Sequence, residues 1–152
     1  MASTLQTFLV KAIEEAAKEL EEAYLRIPED KRNWSPMGDA RTAGDLVAEC
    51  AILNDIENMV RTRKFPDVDF EAYGRAKTEL AKDWGVLQSK LHENTAKAIA
   101  TIRNVPDEDL AIEFPSPWGP LSIQQTIAYP YWNMSYHLGQ INYLASMLGC
   151  LE

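Results

Sequence analysis

Three polar side chains fall on one line near the end of the chain: Asn133, His137 and Gln140, within "NMSYHLGQINYL". On a helix, residues three and four apart stand one turn apart on the same face, so these side chains can converge on one ion or ligand. Imidazole is a common ligand for zinc, nickel and iron, so one chemistry open to the line is divalent metal binding with help from a neighbouring helix. The other is plainer: His137 as a buried polar group that has found hydrogen-bond partners. Glu49 bears on the choice, because it falls on the apolar stripe of its own helix, where a carboxylate is costly to bury unless a cation, a metal or strong donors meet it. Arg41, Lys64, Arg103 and bulk water all stand open as that partner. Cys50, beside Glu49, has no helix N-terminus or basic neighbour to activate it and reads as a packed core thiol. His92 lies off its helix's apolar stripe and reads as a surface residue. The sequence contains no Gly-rich phosphate loop, GxSxG elbow or HExxH motif.

The elements that must position these residues are helical. From Thr4 to Ile27, apolar residues recur at the three-and-four spacing of an amphipathic helix, and Pro28 ends it. The segment "PEDKRNWSPMGDAR" reads as a connection anchored by Trp34. Thr42 is an N-cap with Asp45 in the capping-box position, opening a second helix over about Ala43 to Arg61 with Leu46, Leu53, Ile56 and Val60 on its stripe. After "KFPDVDF" a long third helix is expected from about Phe70 to Arg103, weakened locally at Gly85. "NVPDEDLAIEFPSPWGPL" then forms a long Pro-rich loop with an extended piece at Ala111 to Phe114, and loops of this length are often functional rims or lids. The fourth helix spans about Ser122 to Leu148, with Pro130 as a candidate kink and Gly149 as its C-terminal cap. Four long amphipathic helices define an all-α four-helix bundle, in which sites are built between facing helices.

Composition sets the frame. A chain of 152 residues with 46% hydrophobic and 25% charged residues is that of one globular domain, 1–152. Its 15 basic and 23 acidic side chains give a net charge of −8, which argues against nucleic acid or an acidic membrane surface as partner. The N-terminal stretch lacks a basic leader and no apolar run reaches the length of a membrane span, which points to the cytoplasm. Cys50 and Cys150 are far apart and form no CxxC motif, so a thiol redox centre or zinc knuckle is not expected.

Three stretches, "WSPMGDARTAGDLVAECA", "PWGPLSIQQTI" and above all "HLGQINYLASMLG", make the chain resemble the DinB/YfiT-like superfamily of metalloenzymes, and the order of helices extends the resemblance over essentially the whole chain. The resemblance implies a divalent metal held by three histidines, one on the second helix and an HxxxH pair on the fourth. The last of these matches His137. The first of the pair falls on Asn133, and the helix-two histidine falls on Glu49, so two of three ligands differ. It also implies a homodimer and metal-dependent chemistry of transferase or hydrolase type. The cosubstrate would be a low-molecular-weight thiol and the substrate a small molecule. On that reading Glu49, Asn133 and His137 would hold zinc, nickel or manganese, Gln140 would orient, and the loop around Trp118 would roof the cleft. The rival expectation is a non-catalytic scaffold that binds a small ligand or acts as a homodimer. In it the metal site is lost, and Glu49 and Asn133 hydrogen-bond to each other and to His137.

Overall fold

A computed structural model describes residues 4–152. Helix α1, Thr4–Arg26, buries Leu9, Ile13, Ala16, Leu20 and Tyr24 on one face. The loop after it lies across the start of α2, Ala43–Leu53, where the Gly44 amide donates to the Arg32 carbonyl at 2.8 Å. A Cβ on Gly44 would run into the Asn33 side-chain oxygen and lie 3.1 Å from the Ala81 Cβ, so a larger residue there would require the Asn33 side chain to turn away. Thr42 caps α2 as expected, its hydroxyl accepting from the Asp45 amide at 3.1 Å.

The second helix is not continuous to Arg61. It ends at Leu53 and resumes as α3, Glu57–Thr62. Asn54 causes the break: its wholly buried amide turns inward to donate to Thr95 Oγ1 at 3.0 Å and Met134 Sδ at 3.4 Å, and the bend carries Ile56 fully into the core. Asparagine and aspartate at 54 and 55 resist helix propagation because their side chains compete for backbone groups. The third helix is likewise two, α4 (Phe70–Leu80) and α5 (Trp84–Asn104). The interruption falls just before Gly85, where Asp83 acts as the N-cap of α5 by accepting from the Val86 amide at 3.0 Å.

The extended piece lies slightly later than expected and has a partner. Strand β1, Glu113–Ser116, pairs antiparallel with β2, Gly119–Ser122, in the register Glu113↔Ser122 to Ser116↔Gly119. Helix α6, Ile123–Met147, follows directly. Pro130 lies inside α6 without ending it, and Gly149, at φ 71°, closes it: the Gly149 and Cys150 amides reach back to the Ser146 and Ala145 carbonyls.

The result is a four-helix bundle. Helix α1 packs on α6 and α5, α2 packs on α5 and α6, and α4 lies outside against α2. The core between them is built from Ile13, Leu20, Leu46, Leu87, Leu91, Ile102, Ile127 and Ile141, none more than 1% exposed. Among the described residues, no helix is long and apolar enough to cross a membrane.

Candidate functional site

A capping box sets the start of α6: Ser122 accepts from the Gln125 amide, and the Gln125 side chain accepts from the Ser122 amide. From that fixed start, Asn133 and His137 both face α2 and are buried. The structure joins His137 to Glu49, as their sequence positions suggested: His137 Nε2 lies 2.9 Å from Glu49 Oε1. Gln140 joins them from the other side, its Oε1 2.6 Å from His137 Nδ1. Of the four open partners for Glu49, Arg41 is the one found, its Nη2 donating to Glu49 Oε2 at 2.7 Å. Arg103 instead points to Glu14.

The network is wider than the sequence suggested. Arg41 Nε also donates to Asp45 Oδ2, and Lys77 from α4 reaches Asp45 Oδ1 at 3.1 Å. The signal for Arg41 was its spacing, since Arg41, Asp45 and Glu49 recur every four residues along one line. Lys77, Tyr73 and Tyr129 carried none. Burial pushes both tyrosine hydroxyls above their ordinary range and the Glu49 charge adds to it, taking Tyr129 up to about 12. Glu49 itself moves the other way. Burial alone would raise its carboxyl, but hydrogen bonds and charges from His137 and Arg41 outweigh it and hold the group at about 2.

Asn133 departs from the expected arrangement, for its amide nitrogen turns to Cys50 Sγ at 3.8 Å rather than to Glu49 or His137. Cys50 is wholly buried and its thiol is pushed up, by burial and then by the Glu49 charge, so it is inert packing. His92 is on the surface, 2.7 Å from Glu21. Trp118 stands at the hairpin turn, 78% exposed, with its ring edge-on to Phe65. Among the described residues no hydrogen bond or ring contact joins Trp118 to the network. A separate cleft of about 480 Å³ lies between α3, α5 and residues 105–109; of its three cations, Arg63 and Lys97 are matched by Asp109 and Asp55, and Arg61 donates to the Asn58 side-chain oxygen.

These residues, as arranged, do not fit a divalent metal. Because His137 Nε2 faces a carboxylate oxygen, Nε2 carries the proton, and the lone pair a metal needs is not offered. The second Glu49 oxygen is taken by a guanidinium, a resident positive charge that would repel a metal ion beside it. Among the described residues no three His, Cys, Asp or Glu side chains converge.

The bundle defines a known class of fold. YfiT from Bacillus subtilis, described as a probable metal-dependent hydrolase with an unusual four-helix bundle topology, superposes with a TM-score of 0.77 at 16% identity, covering 98% of this chain and 90% of its own. A conserved protein from Enterococcus faecalis superposes at 0.74 with 15% identity, covering 97% of this chain and 99% of that one. The sequence signature of the DinB superfamily matches residues 12–141, and the chain belongs to that superfamily. No curated protein matches it.

Proposed function

We propose that this chain is a DinB-superfamily bundle in which a network of ion pairs has taken the place of a metal, and that it serves as a small-ligand-binding protein rather than a metal-dependent enzyme. The observation carrying this reading is the Arg41–Glu49–His137–Gln140 chain, which ties up both oxygens of the carboxylate and both nitrogens of the imidazole. Arg41 supplies positive charge where a metal would otherwise have supplied it. Around the network, the half-buried Tyr73 and Tyr129 hydroxyls and the Lys77–Asp45 pair offer a small polar ligand donors and acceptors of fixed position.

A second reading, a metal-dependent transferase or hydrolase, draws support from the description given to YfiT. Elemental analysis of untagged protein purified without chelator separates the two. The proposal expects no stoichiometric zinc, nickel or manganese, and none taken up when those ions are added. Near-stoichiometric metal that is lost in both Glu49→Ala and His137→Ala would overturn it. A constructive arm follows: Glu49→His with Asn133→His and Arg41→Ala supplies three imidazoles and removes the guanidinium, and is expected to gain zinc binding measurable by calorimetry. Native mass spectrometry of the purified wild type then looks for the bound small molecule.

A further inference from the structure

The cleft between α3, α5 and residues 105–109 lies well away from the network around Glu49. Ile123, which lines it, is separated from His137 by about 21 Å of α6. Its volume of about 480 Å³ suits a small molecule. One wall is the end of α5 with the segment that follows, and that segment is tied to α1: the buried Gln6 side chain donates to the Val105 carbonyl and to Asp107 Oδ1, both at 2.9 Å. The other wall is α3, which ends at Arg63 in the left-handed region, φ 54°. That conformation is costly for a residue with a side chain and persists where its surroundings hold it. Here the Arg63 guanidinium reaches from one wall to the other, pairing with Asp109 at 3.0 Å.

Five charged side chains line the cleft: Glu57, Arg61, Arg63, Lys97 and Asp109. Two of the cations are matched, Arg63 by Asp109 and Lys97 by Asp55 at 3.1 Å. Left over is one charge of each sign, Glu57 and Arg61, one turn apart on α3. A glutamate four residues before an arginine is in the favourable order for a helical ion pair. The two nevertheless do not meet. Arg61 Nη2 donates to the neutral Asn58 Oδ1 at 2.7 Å, and among the described residues the Glu57 carboxylate holds no hydrogen bond or ion pair. Between these charges the lining is apolar, with Val60, Ala100, Val105, Pro106 and Ile123.

One guanidinium, one carboxylate and an apolar surface are complementary to a molecule that carries a carboxylate, an ammonium and an apolar body. We propose that the cleft binds a free α-amino acid with an aliphatic side chain, its carboxylate on Arg61, its ammonium on Glu57 and its side chain against Val60, Val105 and Ile123. Spacing agrees, since residues four apart on a helix have Cβ atoms about 5–6 Å apart, and two long side chains from there converge on adjacent charges of one small molecule. A simple anion would face the Glu57 carboxylate and a simple cation would face Arg61, whereas a zwitterion satisfies both. It also carries no net charge, so the −8 of the chain does not repel it. Glu57 and Arg61 are exposed, which keeps each contact weak and the affinity modest.

Titration of isotope-labelled protein with L-leucine, followed by its amide NMR shifts, tests this. Leucine is expected to give saturating shifts at Val60, Ala100, Thr101 and Val105 and to leave Glu49 and His137 unmoved. Leucinamide lacks the carboxylate and N-acetylleucine lacks the ammonium, and each is expected to bind roughly tenfold more weakly. Arg61→Gln is expected to bind leucine no better than leucinamide, and Glu57→Gln to bind leucine no better than N-acetylleucine, with circular dichroism unchanged in both. Absence of cleft shifts with leucine near its solubility limit overturns the proposal, as does a response centred on Glu49 and His137. Variants that bind leucine like wild type overturn it too. So does a cleft that takes N-acetylleucine as well as leucine, which would mark a site for plain carboxylates.

Discussion

The two ends of α2 hold their polar groups in opposite ways. At the first end, Arg41, Asp45 and Glu49 keep full charges in a half-buried layer where each is met by an opposite charge or a ring nitrogen. At the other end the layer is fully buried and the polar groups are neutral: Asn54 donates to Thr95 and Met134, and Asn94 donates to the carbonyl of Ala51 in the last turn of α2. Both carboxamide oxygens, Asn54 Oδ1 and Asn94 Oδ1, are buried without a hydrogen-bond partner. The difference teaches where cost is tolerated. Charges stay where water and counter-charges reach, and deep in the bundle the chain accepts an unmatched amide oxygen to fix the end of a helix.

Three substitutions sharpen or break that contrast. The largest effect is expected at the deeply buried end: Asn54→Ala removes both donated bonds and opens space beside Met134, so urea unfolding should register a loss of about 2–4 kcal/mol. A loss below about 1 kcal/mol would mean that the amide serves no structural purpose there. At the charged end the effect is expected to depend on pH. The Glu49 carboxyl sits at about 2 in the folded chain against 4.5 for the ordinary group, so its contribution is fully present above about 4.5 and disappears as pH falls toward 2. Glu49→Gln should therefore cost at most about 3 kcal/mol at neutral pH, with the gap to wild type closing through that acid range. A gap that does not change with pH would show that the charge is not what the network uses. Smallest is Asn94→Leu, which loses the cap on Ala51 but also removes an unmatched oxygen. The two nearly offset, and a net loss of about 1 kcal/mol in the same unfolding assay is expected.

Much of the bundle was legible because burial imposes a period. The stripes of α1 and α6 and the caps at Thr42 and Gly149 are local signals, and the structure keeps them. The breaks at Asn54 and Asp83 were not legible, since the apolar stripe runs on past both: Ile56 is still buried, only after a bend. The second strand of the hairpin was hidden in the Pro-rich stretch, where Pro120 and Gly119 read as loop. At the site, Glu49 announced itself as a charge on an apolar stripe and helical spacing set Gln140 beside His137, while the match of Glu49 with His137 was implied by the family resemblance. Asn133 misled, because an amide can turn to any neighbour and here it turns to Cys50. Lys77 and Tyr73 gave no sign because α4 reaches the network only by folding back against α2, a contact between distant parts of the chain that no local pattern encodes.

Residues 114–151, which include all of α6, contain no Asp, Glu, Lys or Arg, and this governs how the protein can be taken apart. Arg103 is the last basic residue, so trypsin, which cuts after Lys and Arg, releases residues 104–152 in one piece, with the hairpin and α6 together. No lysine side chain lies beyond Lys97, and amine-directed labels leave the last 55 residues, more than a third of the sequence, blank. Digestion maps of the native chain will therefore show a fragment in which α6 is never cut, whether or not anything covers it.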